Sequence, residues 1–203
     1  MTKLLLATTN PGKILEMKAL LGDLEIELLD PFDLGLDLEV VEDGETYAEN
    51  AARKALAYTR ASGLVTLADD SGLEVDALGG LPGIRSHRFA PQAAATDAGR
   101  RAALLELLQG HPRPWKAHFH CTVALASPSG EVRYAEGDCS GEIIPEERGQ
   151  NGFGYDPIFL IPPLSRTMAE LSTDEKNHLS HRARAVTASR PILAELLSGK
   201  ARL

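Results

Sequence analysis

Hydroxyls, an amide and a lysine are concentrated in one short segment of the sequence. The segment consists of Thr8, Thr9, Asn10, Pro11, Gly12 and Lys13. It follows a short apolar run and precedes residues with helical spacing, and a helix N-terminus offers free N–H donors and a partial positive charge. The segment therefore predicts a phosphate cradle, although the Walker A spacing is absent. An ordinary capped strand-to-helix turn is the alternative.

Two adjacent carboxylates, Asp69 and Asp70, form a second candidate site. They are predicted to end a short apolar strand over residues 64–68, and ligands bind at strand ends in open α/β sheets. Neighbouring strand side chains point in opposite directions, so one Asp can face a ligand while the other is structural. Such a carboxylate can hold Mg²⁺ or accept a proton from water. A turn with Asx-type hydrogen bonds is the alternative.

An acidic stretch supplies further oxygen ligands at Glu39, Glu42, Asp43 and Glu45. Mg²⁺ usually takes one or two carboxylates together with substrate phosphates, so this stretch is a candidate metal site. A solvated acidic loop explains the same composition.

A glycine-rich segment over residues 151–157 carries two aromatic side chains. Glycines such as Gly154 let the backbone approach a flat ligand closely. Phe153 or Tyr155 can then stack on a nucleobase, and Asp156 can accept hydrogen bonds from ring N–H groups. A loop with one buried aromatic is the alternative.

Basic side chains cluster near the start of a predicted helix in a protein that is acidic overall. They are Lys176, His178, His181, Arg182 and Arg184. The helix dipole disfavours cations there, so a local anion would explain them, while a solvated basic face is the alternative. A metal site at His178 and His181 is not favoured, because no carboxylate or cysteine follows at ligand spacing.

A phosphate cradle, acidic metal ligands, an aromatic slot and basic side chains are together what hydrolysis of a nucleoside triphosphate requires. Nucleophilic schemes with serine or cysteine fit less well. The G-x-S-x-G elbow is absent, and Cys121 and Cys139 fall within strand patterns that predict core thiols.

Alternating strands and helices must position these side chains. Apolar runs predict strands over residues 3–8, 25–29, 64–68, 117–126 and 131–140. Capping residues and helical spacing predict helices over residues 10–22, 46–61 and 96–109, and from 173 onward. Pro191 is expected to kink or divide the last helix. The alternation predicts an α/β fold, and a hairpin turn at 127–130 predicts a mixed sheet.

Composition bounds the class of protein. The 203 residues, 21.8 kDa, are enough for one large domain or two small lobes. With 21 basic and 29 acidic residues the net charge is −8, which argues against a general nucleic-acid coat. The two cysteines fit no zinc motif, the first apolar run is too short for a signal peptide, and no stretch is long enough to span a bilayer. We therefore expect a cytoplasmic protein that binds neither nucleic acid nor membrane.

Six motifs occur in one order along the chain. They are TTNPGK at 8–13, ENA at 49–51, ADDSGL at 68–73, LGGLPG at 78–83, FGYDP at 153–157 and SHR at 180–182. In this order they resemble the inosine triphosphate pyrophosphatase family, and the resemblance runs from about residue 3 to residue 195.

The resemblance implies a single α/β domain over residues 1–203. In this domain a long central mixed β-sheet is flanked by helices, and two lobes have a nucleotide-binding cleft between them. It implies a homodimer and Mg²⁺-dependent hydrolysis of ITP, dITP and XTP to the monophosphate and pyrophosphate. The rival hypotheses are a pyrophosphatase for other damaged or pyrimidine triphosphates, and a nucleotide-binding sensor without catalysis.

The resemblance also implies roles for individual residues. Asp70 would be the proton acceptor and a metal ligand, with Glu39 as the second metal carboxylate and Glu42 as its alternative. The segment from Thr8 to Lys13 would hold the triphosphate, and Ser71 would touch the substrate. The base and phosphate pocket would be lined by Phe153, Gly154, Tyr155, Asp156, Lys176, His181 and Arg182.

Overall fold

A computed structural model describes residues 2–90 and 96–198 of the chain. Its helices in those ranges are α1 (Pro11–Leu21), α2 (Tyr47–Ser62), α3 (Asp97–Leu108), α4 (Thr173–Leu179) and α5 (His181–Leu197). Its strands are β1 (Thr2–Leu6), β2 (Ile26–Leu29), β3 (Val65–Val75), β4 (Pro82–Gly83), β5 (Trp115–Ala126), β6 (Val132–Ile143), β7 (Phe159–Ile161) and β8 (Arg166–Thr167).

The eight strands form one mixed sheet in the order β2-β1-β3-β5-β6-β7-β8, with β4 paired to β3. Strand β1 runs parallel to both β2 and β3, whereas β7 is antiparallel to β6 and to β8. The predicted turn at 127–130 joins β5 and β6, where Ser127 N donates to Glu131 O at 2.9 Å. The predicted α/β fold with a long mixed sheet is confirmed.

The described residues divide into two compact units, and the first comprises those up to Asp70, 121–137 and those from Arg182 onward. Its core contains Leu4, Leu6, Met17, Leu67 and Val123 among other buried apolar side chains. Helix α1 begins as predicted, because the Asn10 side chain accepts from Lys13 N at 3.1 Å and Pro11 occupies the first turn. Helix α2 ends at Gly63, whose φ of 70° is the left-handed conformation that glycine adopts without strain.

The second unit comprises residues 71–120 and 138–181. Its core is more aromatic and contains Trp115, Phe119, Tyr155 and Phe159. Helix α3 is capped by Thr96, and helix α4 begins with the predicted capping box of Ser172 and Glu175. The nucleotide-binding cleft expected from the resemblance stays a prediction.

The prediction that a strand ends at Asp69 and Asp70 is wrong. Strand β3 continues through both residues to Val75, and both carboxylates are buried. Buried charges are tolerated where opposite charges or hydrogen bonds compensate them, and both aspartates have such partners. No Asx turn replaces the strand there.

Of the two effects expected of Pro191, the division of the last helix is wrong, while the kink stays a prediction. The break lies at Ser180, whose φ of −66° and ψ of 155° end α4, and Pro191 lies inside α5. His178 and Arg182 therefore lie on different helices. The basic residues His181 and Arg182 open α5, while Lys176 belongs to α4.

Candidate active site

The segment between β1 and α1 has the geometry of a helix-capping loop. Asn10 N donates to Thr8 Oγ1 at 3.2 Å, and Lys13 N donates to Asn10 Oδ1 at 3.1 Å. The Thr9 side chain is exposed. The predicted cradle residues therefore lie together at the N-terminus of an eleven-residue helix, where backbone N–H groups are available to an anion.

Asp69 is the centre of a buried charge network in the first unit. Its Oδ2 lies 2.9 Å from Lys13 Nζ and 3.1 Å from Arg182 Nε, and its side chain is fully buried. Burial alone would raise the pKa of Asp69, but the positive charges of Lys13 and Arg182 outweigh burial and hold that pKa well below its ordinary value. Asp69 is therefore ionised and fixes the two cationic side chains in place.

Arg182 and Lys54 extend this network. Arg182 NH1 donates to Glu16 Oε2 at 2.5 Å, and the side chains of both residues are buried. Lys54 on α2 donates a hydrogen bond from Nζ to the backbone oxygen of Asp69 at 2.5 Å. Three cationic side chains thus surround one aspartate in a chain whose net charge is −8.

Asp70 has different surroundings. Asn50 Nδ2 donates to Asp70 Oδ2 at 3.0 Å, and Asn50 Oδ1 accepts from Gly44 N at 2.8 Å, which fixes the orientation of the amide. Burial raises the pKa of Asp70, and the opposing charges of Lys54 and Lys13 compensate it only in part. A carboxylate whose pKa is raised holds a proton more strongly, which suits a general base.

The two candidate metal carboxylates, Glu39 and Glu42, differ in their surroundings. Glu42 is half-buried, lies 3.0 Å from Lys54 Nζ, and its charge contributes to the raised pKa of Asp70. The Glu39 side chain is exposed. Across 2–90 and 96–198, no group of three or more His, Cys, Asp or Glu side chains could hold a metal by itself.

In the second unit, the glycine-rich segment folds around Asp156. Asp156 Oδ2 accepts from Phe153 N at 2.9 Å and lies 2.6 Å from Lys176 Nζ, and both charged side chains are buried. Lys176 Nζ also lies 5.0 Å from the centre of the Phe153 ring. A Cβ at Gly152 would lie 2.1 Å from Asp156 Oδ2, so only glycine fits there. Asp156 thus organises the loop and anchors Lys176.

The two aromatic candidates for base stacking differ in their surroundings. Tyr155 is 4% exposed, packs in the core of the second unit and donates its hydroxyl to Ser86 O at 2.9 Å. Phe153 is partly exposed. Of the two residues, Phe153 is therefore the more exposed.

His181 and Ser71 complete the predicted set. The His181 ring is buried and stacks on Phe119, with centroids 4.6 Å apart and planes 13° apart. Ser71 follows Asp70 in β3 and is half-buried. Cys121 and Cys139 are buried thiols, as predicted.

The sequence alone predicts no role for Glu16, Asn50 or Lys54. Two signals were present in the sequence. Glu16 follows Lys13 by three residues, which places both on one helix face, and Lys54 follows Asn50 by four. Their partners lie far away in sequence, so spacing alone does not identify them.

Comparison with known proteins identifies the family. The model of the Ham1 family matches residues 4–192. A dITP/XTP pyrophosphatase from Desulforamulus reducens is 45% identical over 195 residues, covering 96% of each chain. One from Syntrophobacter fumaroxidans is 49% identical and covers 90% of this chain and 78% of its own.

Solved structures agree with this result. A HAM1 protein from Coxiella burnetii superposes with a TM-score of 0.86 at 41% identity, covering 96% of this chain and all of its own. A nucleoside-triphosphatase, named dITP/XTP pyrophosphatase, from Mycobacterium abscessus gives a TM-score of 0.72 at 41% identity, covering 94% of this chain and all of its own. The motifs, the fold and these matches lead to one conclusion: the chain belongs to the Ham1 family.

Proposed function

We propose that this chain hydrolyses dITP, ITP and XTP to the nucleoside monophosphate and pyrophosphate. The observation that carries the proposal is the pair of adjacent aspartates on β3. Asp69 is ionised and holds Lys13 and Arg182, while Asp70 has a raised pKa suited to a base. The name dITP/XTP pyrophosphatase, which two of the relatives carry, supports this reaction on dITP and XTP.

Asp70 acts as the general base in this reaction. Its carboxylate accepts a proton from a water molecule, and the oxygen of that water attacks the α-phosphorus. The bond between the α-phosphorus and the bridging oxygen breaks, and pyrophosphate leaves. General base catalysis by a positioned side chain contributes about 10²–10⁴-fold to a rate.

The cradle and its lysine stabilise the charge on the phosphates. Backbone N–H groups at the start of α1 donate to phosphate oxygens, and Lys13 supplies a positive charge at the same end of the helix. The ion pair with Asp69 keeps Lys13 in place before the substrate arrives, which reduces the reorganisation needed on binding.

The carboxylates of the first unit fit Mg²⁺ as a substrate-dependent ion. Asp70 and Glu42 offer hard oxygen atoms, and Mg²⁺ commonly takes one or two carboxylates together with substrate phosphates. These two residues would hold the ion, with Glu39 as the alternative to Glu42. When bound, Mg²⁺ would neutralise phosphate charge and favour departure of pyrophosphate.

Recognition of the base follows from its 6-oxo group. Hypoxanthine and xanthine present an acceptor at position 6, whereas adenine presents an amino donor. A donor of the protein aimed at O6 would face another donor in ATP, and an unpaired buried polar group costs about 1–3 kcal/mol. Phe153 would stack on the face of the base, since its ring is the accessible one in the loop.

Pyrophosphate release from a panel of nucleotides tests the proposal. The panel contains ITP, dITP, XTP, ATP, GTP, CTP and UTP, each with Mg²⁺ and with EDTA. We expect Mg²⁺-dependent pyrophosphate release largely confined to the inosine and xanthosine nucleotides. Preference for pyrimidine nucleotides would favour a pyrophosphatase for other damaged or pyrimidine triphosphates. Release of orthophosphate would contradict cleavage at the α-phosphorus. Tight ITP binding without turnover would favour a nucleotide-binding sensor without catalysis.

Within residues 2–90 and 96–198, no helix is both long enough and apolar enough to cross a bilayer.

A further inference from the structure

The peptide groups on both sides of Gly154 are held by one helix. Asp97, in the first turn of α3, accepts a hydrogen bond from Gly154 N through Oδ2 at 2.7 Å. Arg101, one turn later, donates from NH1 to Gly154 O at 2.8 Å. These two contacts fix the peptide planes that precede and follow Gly154.

Gly154 is the residue directly after Phe153, and its φ of 61° is the left-handed conformation that glycine adopts without strain. The Phe153 carbonyl belongs to the peptide that Asp97 holds, and it accepts from Asp156 N at 3.2 Å. Rotation of that peptide would therefore redirect Phe153. The Phe153 N–H is already bound to Asp156, so Asp97 restrains the peptide on the other side of Phe153 and Arg101 restrains the peptide after that.

Both side chains of α3 are themselves held in place. Arg101 donates from Nε and NH2 to the two carboxylate oxygens of Glu147, at 2.8 Å each. Asp97 is bonded to Arg100, whose NH1 donates to His87 O at 3.2 Å. Burial would raise the pKa of Asp97, but the hydrogen bonds from Gly154 N and Arg100 lower it overall, so the acceptor is ionised.

We propose that Asp97 and Arg101 are positioning residues that set the orientation of the Phe153 ring and thereby the selection of the nucleobase. The inference rests on the proposed function, in which Phe153 stacks on the base. Neither residue needs to contact the substrate, because each acts through the backbone of Gly154.

The test compares Asp97→Ala and Arg101→Gln with the unaltered chain. The measurements are kcat and KM for dITP and dGTP, and the exchange rate of the Gly154 amide by NMR without nucleotide. We expect KM for dITP to rise about 10-fold or more in Asp97→Ala, because a hydrogen bond to a charged acceptor is lost, while kcat changes little. The preference for dITP over dGTP should fall, and the Gly154 amide should exchange faster.

Two further variants separate positioning from stability. Asp97→Asn keeps an oxygen acceptor and should restore most of the preference. Glu106→Ala, an exposed position on the same helix, should leave KM, preference and exchange unchanged. If Asp97→Ala does not fold, Arg101→Gln carries the test, because it leaves the first turn of α3 intact.

The outcomes separate the two proposals. An unaltered chain that hydrolyses neither dITP nor XTP overturns the proposed function. An active unaltered chain, together with variants of unchanged KM and base preference, overturns the positioning role. A uniform loss of kcat for both nucleotides, with exchange at Gly154 unchanged, also overturns it.

Discussion

The pKa values of the adjacent residues Asp69 and Asp70 are shifted in opposite directions. Asp69 lies against Lys13 and Arg182, whereas Asp70 accepts a hydrogen bond from the Asn50 amide, and burial is the largest influence on the pKa of Asp70. Alternation along β3 sends the two side chains in opposite directions, so each meets a different environment. One carboxylate can thus organise cations while its neighbour serves as a base.

Replacement of Asp70 tests its role as the general base. Asp70→Asn should lower kcat for dITP by about 10²–10⁴-fold, because an amide cannot accept the proton from water. The melting temperature should stay close to that of the unaltered chain. Asp138→Asn, an exposed aspartate on β6, serves as the control and should retain full turnover. A near-normal rate in Asp70→Asn would remove the general base from the mechanism.

The metal carboxylate can be assigned by paired variants. Glu42→Gln should raise the Mg²⁺ concentration needed for half-maximal pyrophosphate release by about 10-fold, because one anionic ligand is lost. Glu39→Gln, at an exposed position, should leave that concentration unchanged. If Glu39→Gln raises that concentration and Glu42→Gln does not, Glu39 is the second metal carboxylate, as the resemblance implies.

Phe153 and Tyr155 should respond differently to substitution. Phe153→Leu should raise KM for dITP roughly 5-fold or more, because stacking on a base is worth about 1–3 kcal/mol. Tyr155→Phe should leave KM unchanged and lower the free energy of unfolding by about 1 kcal/mol, because the bond to Ser86 O is lost. Steady-state kinetics and urea unfolding give the two numbers, and a KM effect confined to Tyr155→Phe would reverse the assignment.

The sequence revealed the side chains of the site better than their partners. Asn10, Pro11 and Lys13 are identified by local capping rules, and the structure has the predicted cap. The bond between Arg182 and Glu16 spans 166 residues and leaves no local trace. The positions of such partners depend on tertiary packing, which periodicity and capping signals do not encode.

At the scale of elements, α4 is stabilised at its start by Glu175. Its carboxylate accepts from Arg166 NH1 at 2.6 Å and from Ser172 N at 2.7 Å. These contacts lower the pKa of Glu175 from 4.5 to about 2, and the hydrogen bond from Arg166 contributes most to the shift. A lowered pKa in the folded state contributes stability above the unfolded value, which is lost as the pH falls through the folded value.

Glu175→Gln tests this contribution. The difference in unfolding free energy between the two proteins should be constant above about pH 5 and should shrink between pH 4.5 and 2. Urea unfolding at several pH values measures it. Because the pair is exposed, the whole effect should also weaken at high salt. A difference that persists unchanged to pH 2 would show that the carboxylate charge is not its source.

Element boundaries were predictable where a local signal marks them. Three helices begin where the capping residues of the sequence predict, at Thr46, Thr96 and Ser172. The extension of β3 through Asp69 and Asp70 was not predictable, because adjacent charges are depleted in strands and only distant partners make them tolerable here. The break at Ser180 likewise lacks a proline or glycine to mark it.

At the scale of the whole molecule, association of two chains stays a prediction of the resemblance. Light scattering coupled to gel filtration should give twice the chain mass of 21.8 kDa. The measurement should be repeated at several protein concentrations, because a weak dimer dissociates on dilution. A mass of one chain at every concentration would contradict the prediction.

The ion pair between Asp69 and Arg182 also has a consequence for synthesis of the protein. The two residues are 113 positions apart. At translation rates of about 5–20 residues per second, Arg182 is added roughly 6–23 s after Asp69. During that interval the nascent chain holds the aspartate without its guanidinium partner, so the charge network closes only when the last helix has left the ribosome.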